Sequence, residues 1–498
     1  MRTRYANASS VLARIALAAA CLAVPVRAQP VYTQVTQLAD GDASADFGIA
    51  VDVDGDRAAV GAYLDEGQGA VYVYERTGGA WTRTARLVGS TTAAGDAFGN
   101  AVAVSGDVIV VGAPLDDDGG SNSGAAFVFE RDAATGDWSE VLRTAPTLVD
   151  DQDRLGFSVE ADGDLVVLGA YLDEGGKAFV YRRTGGVWAL DAALLRDDPA
   201  EQDGFGYAVS VSGERAIVGS LSDDDAGSAS GSAYVFEPDG SGGWAQVAKL
   251  TASDASSGSL FGAGVALDGD RALVGAEIED EQGSESGAAY VYDRDASGDW
   301  LETAKLLPSD GDASDRFGRG VSLDGDRALV GAFGVRSGRG AAYVFALDGG
   351  VWAEQAILLA DPASGSNDFF GLDVALSGTT AFVGAYGVDA PTTNGAAYVF
   401  EEQPPTAGEA DAEAGFSVTV APNPTAGAAR LTVALDQPSA FRVALYDVRG
   451  RRVAVLHDGS AVGELSLPLD TARLTPGVYV IHVAGASFAA TRRLVVTR

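Results

Sequence analysis

The chain has 498 residues, with 70 Asp and Glu against 34 Lys and Arg, and a formal net charge of −36 at pH 7. Such a surface repels phosphate groups, which argues against nucleic acid and anionic membranes as partners. Beyond the N-terminus no apolar stretch approaches the length that crosses a bilayer, so no transmembrane helix is expected.

The N-terminus has the pattern of a secretory signal peptide over residues 1–28. Two arginines in the first four residues precede an apolar stretch over residues 15–24, and residues 26–28 read Val-Arg-Ala. We expect cleavage after Ala28, which removes the single cysteine and with it any disulfide or thiol chemistry. Acylation of Cys21, as in a lipoprotein, is the alternative.

A Phe-Gly pair, or a close relative, recurs seven times at intervals of 50 to 57 residues. The seven pairs begin at Phe47, Phe98, Leu155, Phe205, Phe261, Phe317 and Phe370. Each pair is followed by an aliphatic residue, a glycine and a small residue; these glycines are Gly61, Gly112, Gly169, Gly219, Gly275, Gly331 and Gly384. A fixed period of this length indicates an array of one supersecondary unit.

Each repeat is predicted to form a four-stranded antiparallel sheet. In the first repeat the four apolar runs are residues 48–53, 57–62, 70–75 and 81–87. Turn signals such as Asp54-Gly55 and Gly78-Gly79 separate them. The third run has large apolar residues at successive positions, so both faces of the sheet must be covered by neighbouring sheets.

Four-stranded sheets packed face to face in a ring form a β-propeller, and only small residues fit near its axis. We therefore predict an all-β fold, with a seven-bladed β-propeller over residues 29–400. The seventh repeat stops after Phe400 without a fourth strand. Because Tyr32–Leu38 reproduces the spacing of Trp81–Leu87, we expect it to complete the last sheet and remove an open edge.

The Phe-Gly pairs and Val-Gly-Ala blocks resemble the FG-GAP repeat, the unit of the integrin α-subunit propeller and of many secreted bacterial proteins. Integrin-type repeats carry a D-x-D-x-D-G-x-x-D calcium loop between their first and second strands. This chain has a tight turn there in every repeat, such as Asp54-Gly55-Asp56. We interpret these residues as hairpin turns. The resemblance thus implies the fold and not the integrin metal site.

The chain changes character after the repeats. Residues 401–415 have the composition of a linker, with two adjacent prolines and several acidic residues. Residues 416–498 contain about seven short alternating runs, enough for a small immunoglobulin-like β-sandwich.

Four signatures in this last segment resemble the type A sorting domain of the type IX secretion system. The candidate motif residues are Pro422, Asn423, Pro424, Asp447, Gly450, Arg451, Gly477 and Tyr479. The resemblance implies passage across the outer membrane by the type IX machinery. It also implies, as usual in the family, removal of the domain by a sortase-like protease that attaches the cargo to lipopolysaccharide. A generic immunoglobulin-like module is the alternative.

The predicted propeller contains neither histidine nor cysteine, because His457 and His482 both lie in the C-terminal module. Ser-His-Asp and Cys-His nucleophiles and zinc sites are therefore not expected. Paired carboxylates remain available. The small Gly-Ala and Val positions do not suggest convergent carboxylates or an Arg-Tyr cluster at the channel mouth, so we expect no enzyme and no required cofactor.

Acidic clusters follow the small-residue blocks, between the second and third strands. The candidate cation ligands are Asp65, Asp116, Asp117, Asp118, Asp173, Asp223, Asp224, Asp225 and Asp280. These loops and the acidic links between repeats are expected on one rim, which could hold Ca²⁺ weakly; a solvated acidic rim is the alternative that we favour. Arg336 and Arg339 interrupt the pattern in the sixth repeat and mark a candidate ligand-contact site.

We therefore predict a secreted or surface-anchored protein that binds or adheres to an extracellular protein or glycan through one loop rim. Two alternatives remain open. One is a propeller enzyme, such as a polysaccharide lyase or glycosidase, and the other is a structural component of a surface layer or matrix.

Overall fold

The structure is a computed structural model that describes residues 31–39, 46–144, 149–172, 175–200, 202–361, 367–387, 395–403, 416–421, 428–447, 452–471, 474, 477–485 and 489–496. The chain divides into two compact units, residues 1–404 and 405–498. The predicted signal peptide, residues 1–28, lies outside the described residues. Within the described ranges, no helix has the length and apolarity needed to cross a membrane.

Strands make up nearly all of the regular structure in the first unit. Its first half contains β1 (Val31–Leu38), β2 (Phe47–Asp54), β3 (Arg57–Ala62), β4 (Ala70–Thr77), β5 (Ala80–Leu87), β6 (Ala101–Ser105), β7 (Val108–Ala113), β8 (Ala125–Arg131), β9 (Trp138–Thr144), β10 (Ser158–Asp162), β11 (Leu165–Ala170), β12 (Lys177–Thr184), β13 (Val187–Leu194) and β14 (Phe205–Ser212). Its second half contains β15 (Arg215–Ser220), β16 (Ser232–Pro238), β17 (Trp244–Leu250), β18 (Phe261–Asp268), β19 (Arg271–Ala276), β20 (Ala288–Arg294), β21 (Trp300–Leu306), β22 (Phe317–Asp324), β23 (Arg327–Ala332), β24 (Ala341–Asp348), β25 (Val351–Leu358), β26 (Val374–Ser377), β27 (Thr380–Ala385) and β28 (Ala396–Gln403). A 3-10 turn at Asp65–Gly67 and a helical turn α1 at Val335–Gly338 are the helical segments of this described part.

These strands form four-stranded antiparallel sheets, which confirms the predicted all-β repeat. Sheets 1 to 6 contain β2–β5, β6–β9, β10–β13, β14–β17, β18–β21 and β22–β25 in chain order. Sheet 7 contains β26, β27 and β28, and β1 is its fourth strand, with Gln37 opposite Tyr398.

The last strand of the repeats is longer than the sequence predicted. β28 continues through Glu401 and Glu402 to Gln403, whereas the linker was expected to begin at residue 401. Both glutamates are fixed by arginines: Arg76 Nη1 lies 2.9 Å from Glu401 Oε1, and Arg327 contacts Glu402. Pairing with β1 extends the strand, because β1 supplies partners as far as Val31.

The glycine of each Val-Gly-Ala block lies where the next sheet approaches most closely. A Cβ atom on Gly61 would stand 2.0 Å from the carbonyl oxygen of Gly99 in sheet 2. The same contact recurs around the repeats, and a Cβ on Gly384 of sheet 7 would stand 2.2 Å from the oxygen of Gly48 in sheet 1. Both repeated glycines are therefore needed for sheet packing.

The core consists of apolar clusters between consecutive sheets. Each Phe-Gly aromatic packs against a third-strand aromatic of its own sheet, as Phe261 does against Tyr290 at 5.5 Å between ring centroids. One cluster joins sheets 1 and 2 through Val71 and Phe127. Another joins sheet 7 to sheet 1 through Phe382 and Tyr72. Burying an aromatic side chain of this kind contributes roughly 1.5–3 kcal/mol.

The second unit is a five-stranded sheet. Its strands are β29 (Phe416–Ala421), β30 (Ala428–Asp447), β31 (Arg452–Asp470), β32 (Gly477–Gly485) and β33 (Ala489–Val496). About seven strands were predicted, and the number is lower because β30 and β31 each contain two predicted runs, with a shift of register between Leu435 and Ser439. Arg492 Nε donates to Val418 O at 2.9 Å, which brings β33 against β29.

Candidate functional site

The acidic loops between second and third strands are largely satisfied by the protein itself. Asp65, Asp116 and Asp223 are buried, with 2%, 0% and 3% of their surface exposed. Tyr72 donates to Asp65 at 2.8 Å and Tyr234 donates to Asp223 at 2.7 Å. The first acid of these loops is thus a structural residue, contrary to the expectation of a solvated rim.

The other candidate cation ligands also have partners. Asp117, Asp224 and Asp280 each accept a hydrogen bond of 2.6 to 2.7 Å from the backbone N–H five residues later, which closes the loop. Asp118 lies 3.3 Å from Arg143 and Asp225 lies 2.5 Å from Lys249. Asp173 lies outside the described residues.

Two groups of three carboxylates are close enough to hold a metal ion, and each already surrounds a lysine. Lys249 Nζ lies 2.6, 3.1 and 2.5 Å from Asp198, Asp223 and Asp225. Lys305 Nζ lies between Asp254, Glu279 and Glu281 in the same way. Burial would lower the pKa of Lys249, but hydrogen bonds to its carboxylates outweigh burial and raise it. A tethered ammonium group therefore stands where a cation would bind.

Sequence reasoning missed these basic partners. They occupy the next-to-last position of the fourth strand, and they are Arg86, Arg143, Lys249 and Lys305. The signal was present, because sheet 6, whose loop carries Arg336 and Arg339 in place of acids, has Ile357 at that position. The acidic loops of sheets 1, 2, 4 and 5 thus have a basic residue at this position, whereas sheet 3 has Ala193 there although its loop sequence contains Asp173 and Glu174.

Arg336 and Arg339, the predicted ligand-contact residues, lie in or beside α1 and are both exposed. Arg336 has a left-handed backbone conformation, with φ of 53°. The segment packs beside sheet 7, since Phe369 N donates to Gly338 O at 2.8 Å. A contact with a ligand stays a prediction.

The Asp-Gly and Ser-Gly turns join neighbouring sheets. The Asp or Ser that ends each first strand accepts a hydrogen bond from the turn glycine of the next sheet, as Asp54 does from Gly106 at 2.7 Å and Ser105 from Gly163 at 2.9 Å. Seven such bonds occur in the described residues. The Asp side chains at the ends of the first strands thus stabilise the turns, which agrees with the interpretation of these residues as parts of hairpin turns.

The first strands of all seven sheets line a cavity of about 600 Å³, here called the axial cavity. Its lining includes the carboxylates of Asp52, Glu160 and Asp373 together with Arg319 and Tyr207. The expectation that the axis lacks such groups is wrong. The repeated positions are indeed small or aliphatic, but the residues two, three and five positions after the first residue of each Phe-Gly pair differ between repeats.

The three carboxylates are half-buried, and two of them join neighbouring sheets. Asp52 accepts hydrogen bonds from the N–H groups of Val104 at 2.5 Å and Val53 at 2.8 Å. Asp373 accepts one from Val51 N at 2.8 Å. These bonds satisfy edge-strand donors that have no partner in their own sheet.

Burial dominates the titration of these carboxylates. It raises the pKa of Asp52 to about 7 and that of Asp373 to about 6, although their backbone hydrogen bonds lower both values. Burial also raises the pKa of Glu160 well above its ordinary value, and the charge of Asp52 adds to this effect. Carboxyl groups with raised pKa values cluster at functional sites.

Arg319 lies over the ring of Tyr207, with 4.5 Å between the guanidinium carbon and the ring centroid. Its Nη1 donates one long hydrogen bond of 3.3 Å to Ala263 O. Phe157 contacts Tyr207 at 5.1 Å and Tyr171 at 4.4 Å, and these rings are half-buried. A cation and an aromatic patch therefore meet at the axial cavity.

The sorting-motif residues that the structure describes meet on one sheet. Asp447, at the end of β30, pairs in register with Tyr479 of β32, and Gly477 begins β32 opposite Val496. Tyr479 is buried, with 6% of its surface exposed. Pro422, Asn423, Pro424, Gly450 and Arg451 lie outside the described residues.

Family comparisons identify both parts of the chain. The model of the FG-GAP repeat matches residues 32–74, 81–129, 188–236, 244–292, 300–345 and 352–400. The model of the secretion system C-terminal sorting domain matches residues 419–497. The repeat matches cover more than half of the chain, which therefore belongs to the FG-GAP repeat family and carries a type IX sorting domain. The protein is thus directed to the cell surface or outside, and its sorting domain interacts with the type IX machinery.

Comparisons with solved structures add little. Sqt1 of Saccharomyces cerevisiae aligns with a TM-score of 0.43 at 12% identity, over 74% of this chain and 99% of that chain. A putative 6-phosphogluconolactonase from Bacteroides uniformis aligns with a TM-score of 0.43 at 13% identity, over 63% of this chain and 86% of that chain. No curated protein matches the sequence.

Proposed function

We propose that the first unit is a closed β-propeller of seven blades and that the second is a small immunoglobulin-like sandwich. Three kinds of contact between consecutive sheets support the closed ring: the glycine approach, the turn hydrogen bond and an isolated bridge. Each recurs between sheet 7 and sheet 1, at Gly384 with Gly48, Ser377 with Gly55 and Gly395 with Phe47. The approach of β33 to β29 supports a sandwich.

The function that this geometry supports best is binding of an extracellular protein or glycan. The surface that makes the contact is the loop face, defined as the side that carries the strand 2–3 loops and the links between sheets. The segments that line the axial cavity begin on this side, because each follows a link between sheets. The observation that carries this proposal is the contact of Arg319 with Tyr207 beside half-buried Phe157. Sheets 1 and 5 have Ile49 and Ala263 at the equivalent position, so the packing of the sheets does not require an arginine or an aromatic residue there.

The opposite face offers less for a partner. Its turns are tied to one another by the ring of Asp and Ser acceptors, and arginines such as Arg271 bridge Asp293 of their own sheet at 2.7 Å and Asp326 of the next at 2.9 Å. Groups already paired within the protein gain little from a ligand.

Capture experiments with the secreted protein test this proposal. The protein is applied to a glycan array and, immobilised, to extracellular proteins of the same culture. Saturable binding that Arg319→Met weakens is expected. Failure to bind either class, together with concentration-dependent self-assembly, would contradict binding and favour a structural surface component.

An enzyme is the second candidate, and the carboxylates of the axial cavity favour it. Glycosidases need one carboxyl group that is protonated and another that is ionised; the pKa of Glu160 is raised well above its ordinary value and that of Asp373 only to about 6, which fits this division better than Glu160 with Asp52. Turnover of polysaccharides by the secreted protein, abolished in Glu160→Gln, would establish this activity. Stable binding without release of reducing ends would exclude it for the polysaccharides used.

A further inference from the structure

The residue two positions after the first residue of each Phe-Gly pair, or of Leu155-Gly156 in sheet 3, forms one layer of the axial cavity. The layer consists of Ile49, Asn100, Phe157, Tyr207, Ala263, Arg319 and Leu372. The equivalent backbone positions accept residues from Ala to Arg, so sheet packing does not require any particular side chain there. The aromatic and charged members of the layer are better explained by a ligand.

Arg319 is the cation of this layer, and the protein satisfies it incompletely. Among the described residues, no carboxylate lies within 4.0 Å of its guanidinium group. A guanidinium group has five N–H donors; here Ala263 O accepts one long bond of 3.3 Å, and the side chain of Tyr207 is a second hydrogen-bond partner. Stacking on Tyr207 fixes the plane of the group. It is thus positioned to donate to oxygen atoms of a ligand in the cavity.

Half-buried aromatic rings form two patches, and Phe157 and Tyr207 of the first patch line the cavity. One patch is Phe157 with Tyr171 and Tyr207, in sheets 3 and 4. The other lies on the loop face of sheets 6 and 7, where Phe369 stacks on Tyr386 at 5.2 Å and 13°. All five rings are half-buried, whereas the aromatics inside the sheets, such as Phe261, are fully buried. Rings of this kind present faces for C–H groups of a ligand.

The charges of the cavity lining favour some ligands with C–H groups over others. Besides Arg319, the lining carries the carboxylates of Asp52, Glu160 and Asp373, and Asp54 and Asp162 lie further along the strands. The strong negative charge of the chain repels anions from this position. Hydroxyl groups, in contrast, donate to carboxylates and accept from a guanidinium group.

We propose that the axial cavity binds the end of a neutral oligosaccharide. Arg319 donates to ring or hydroxyl oxygens, Asp373 and Glu160 accept from hydroxyl groups, and the apolar face of a sugar ring packs against Phe157. The cavity of about 600 Å³ has the volume of a small-molecule site rather than that of a protein interface. This inference rests on the proposed binding function and commits it to one ligand class.

The experiment measures binding of short gluco-, manno- and galacto-oligosaccharides to the full secreted protein, with galacturonate oligosaccharides as the anionic comparison. Isothermal titration follows for the tightest neutral ligand. Arg319→Met and Phe157→Ile remove the donor and the ring; isoleucine is tolerated at this position in sheet 1, at Ile49. Arg83→Met is the matched control, because Arg83 also lies over a tyrosine ring, that of Tyr72 at 5.3 Å, but is exposed and lies outside the axial cavity. Thermal unfolding checks that each variant is folded.

We expect Arg319→Met and Phe157→Ile each to weaken binding about tenfold or more, and Arg83→Met to change it by less than about threefold. Absence of binding to every neutral oligosaccharide would overturn the proposal. So would tighter binding of galacturonates, or equal affinity in wild type and both variants. If an extracellular protein is still captured in those cases, the general binding function stands and only the sugar site fails.

Discussion

The hydroxyl group of Ser377 accepts a hydrogen bond of 3.0 Å from the backbone N–H of Gly55, across 322 residues of sequence. It is one of seven equivalent bonds, and the other six join sheets that follow one another in the chain. This one joins the last sheet to the first. Ser377 and Gly55 therefore report on closure of the ring without involving β1.

Ser377→Ala removes this bond. We expect the free energy of unfolding to fall by about 0.5–1.5 kcal/mol, the usual net contribution of a hydrogen bond. Ser105→Ala is the matched control, because Ser105 accepts from Gly163 at 2.9 Å between sheets 2 and 3. Denaturant unfolding of both variants should give similar losses. A neutral Ser377→Ala beside a destabilising Ser105→Ala would mean that sheets 7 and 1 do not meet.

Lys249→Met should create a calcium site. The substitution removes the ammonium group but leaves Asp198, Asp223 and Asp225, whose oxygens lie within 4.8 Å of one another. Without calcium we expect a loss of about 1–3 kcal/mol, because acceptors lose their partner. With calcium we expect binding with Kd on the order of 10⁻⁴–10⁻³ M and recovery of thermal stability.

Lys249→Arg is the control for this change, since it keeps the cation and should bind no calcium at the cluster. Lys305→Met tests the equivalent group in sheet 5. Calorimetric titration of calcium into the three variants distinguishes them. Equal calcium binding by wild type and Lys249→Met would show that the lysine is not the counter-ion of these carboxylates.

Glu160→Gln should change the pH dependence of stability. Because the pKa of Glu160 is raised in the folded state, folding binds protons, and the free energy of unfolding falls as pH rises above the ordinary range of glutamate. Glu160→Gln has no carboxyl group at this position and therefore does not lose stability in this way as pH rises. Relative to wild type we expect it to be more stable at pH 8 and nearly unchanged at pH 4.

Asp361→Asn provides the comparison, because it makes the same change of net charge at an exposed position outside the axial cavity. Thermal unfolding of both variants across this pH range separates local burial from general repulsion. The same gain at pH 8 in both variants would assign the effect to net charge and contradict a buried Glu160.

The repeat itself could be predicted from the sequence in some detail. The four runs of the first repeat, predicted at residues 48–53, 57–62, 70–75 and 81–87, lie within β2, β3, β4 and β5. Turn residues and the alternation of apolar and polar residues are local features of the sequence, so they can be recognised without knowledge of the tertiary structure. The pairing of β1 with β28 also followed, because Tyr32 occupies the position of a fourth-strand Trp.

The axial cavity could not be predicted in the same way. The features shared by seven repeats describe the sheet, whereas Arg319, Tyr207 and Glu160 occupy positions where the repeats differ. These residues come from sheets 6, 4 and 3 and line one cavity, which the sequence of a single repeat cannot show. The structural role of the acidic loops could not be predicted for a related reason, because their charge is balanced by Lys249 and its equivalents, which lie on a different strand.

The central claim, that β1 completes sheet 7 and closes the ring around the cavity, is tested most directly by a designed disulfide. Thr33 is the register partner of Glu401, and paired residues of antiparallel strands lie about 4.5–5.5 Å apart at Cα, within disulfide range. The secreted double variant Thr33→Cys, Glu401→Cys is analysed by mass spectrometry and non-reducing electrophoresis, with Thr33→Cys, Thr82→Cys as control. We predict nearly complete intramolecular cross-linking in the first and none in the second. A first variant that stays reduced, or cross-links only between molecules, would contradict the closed ring.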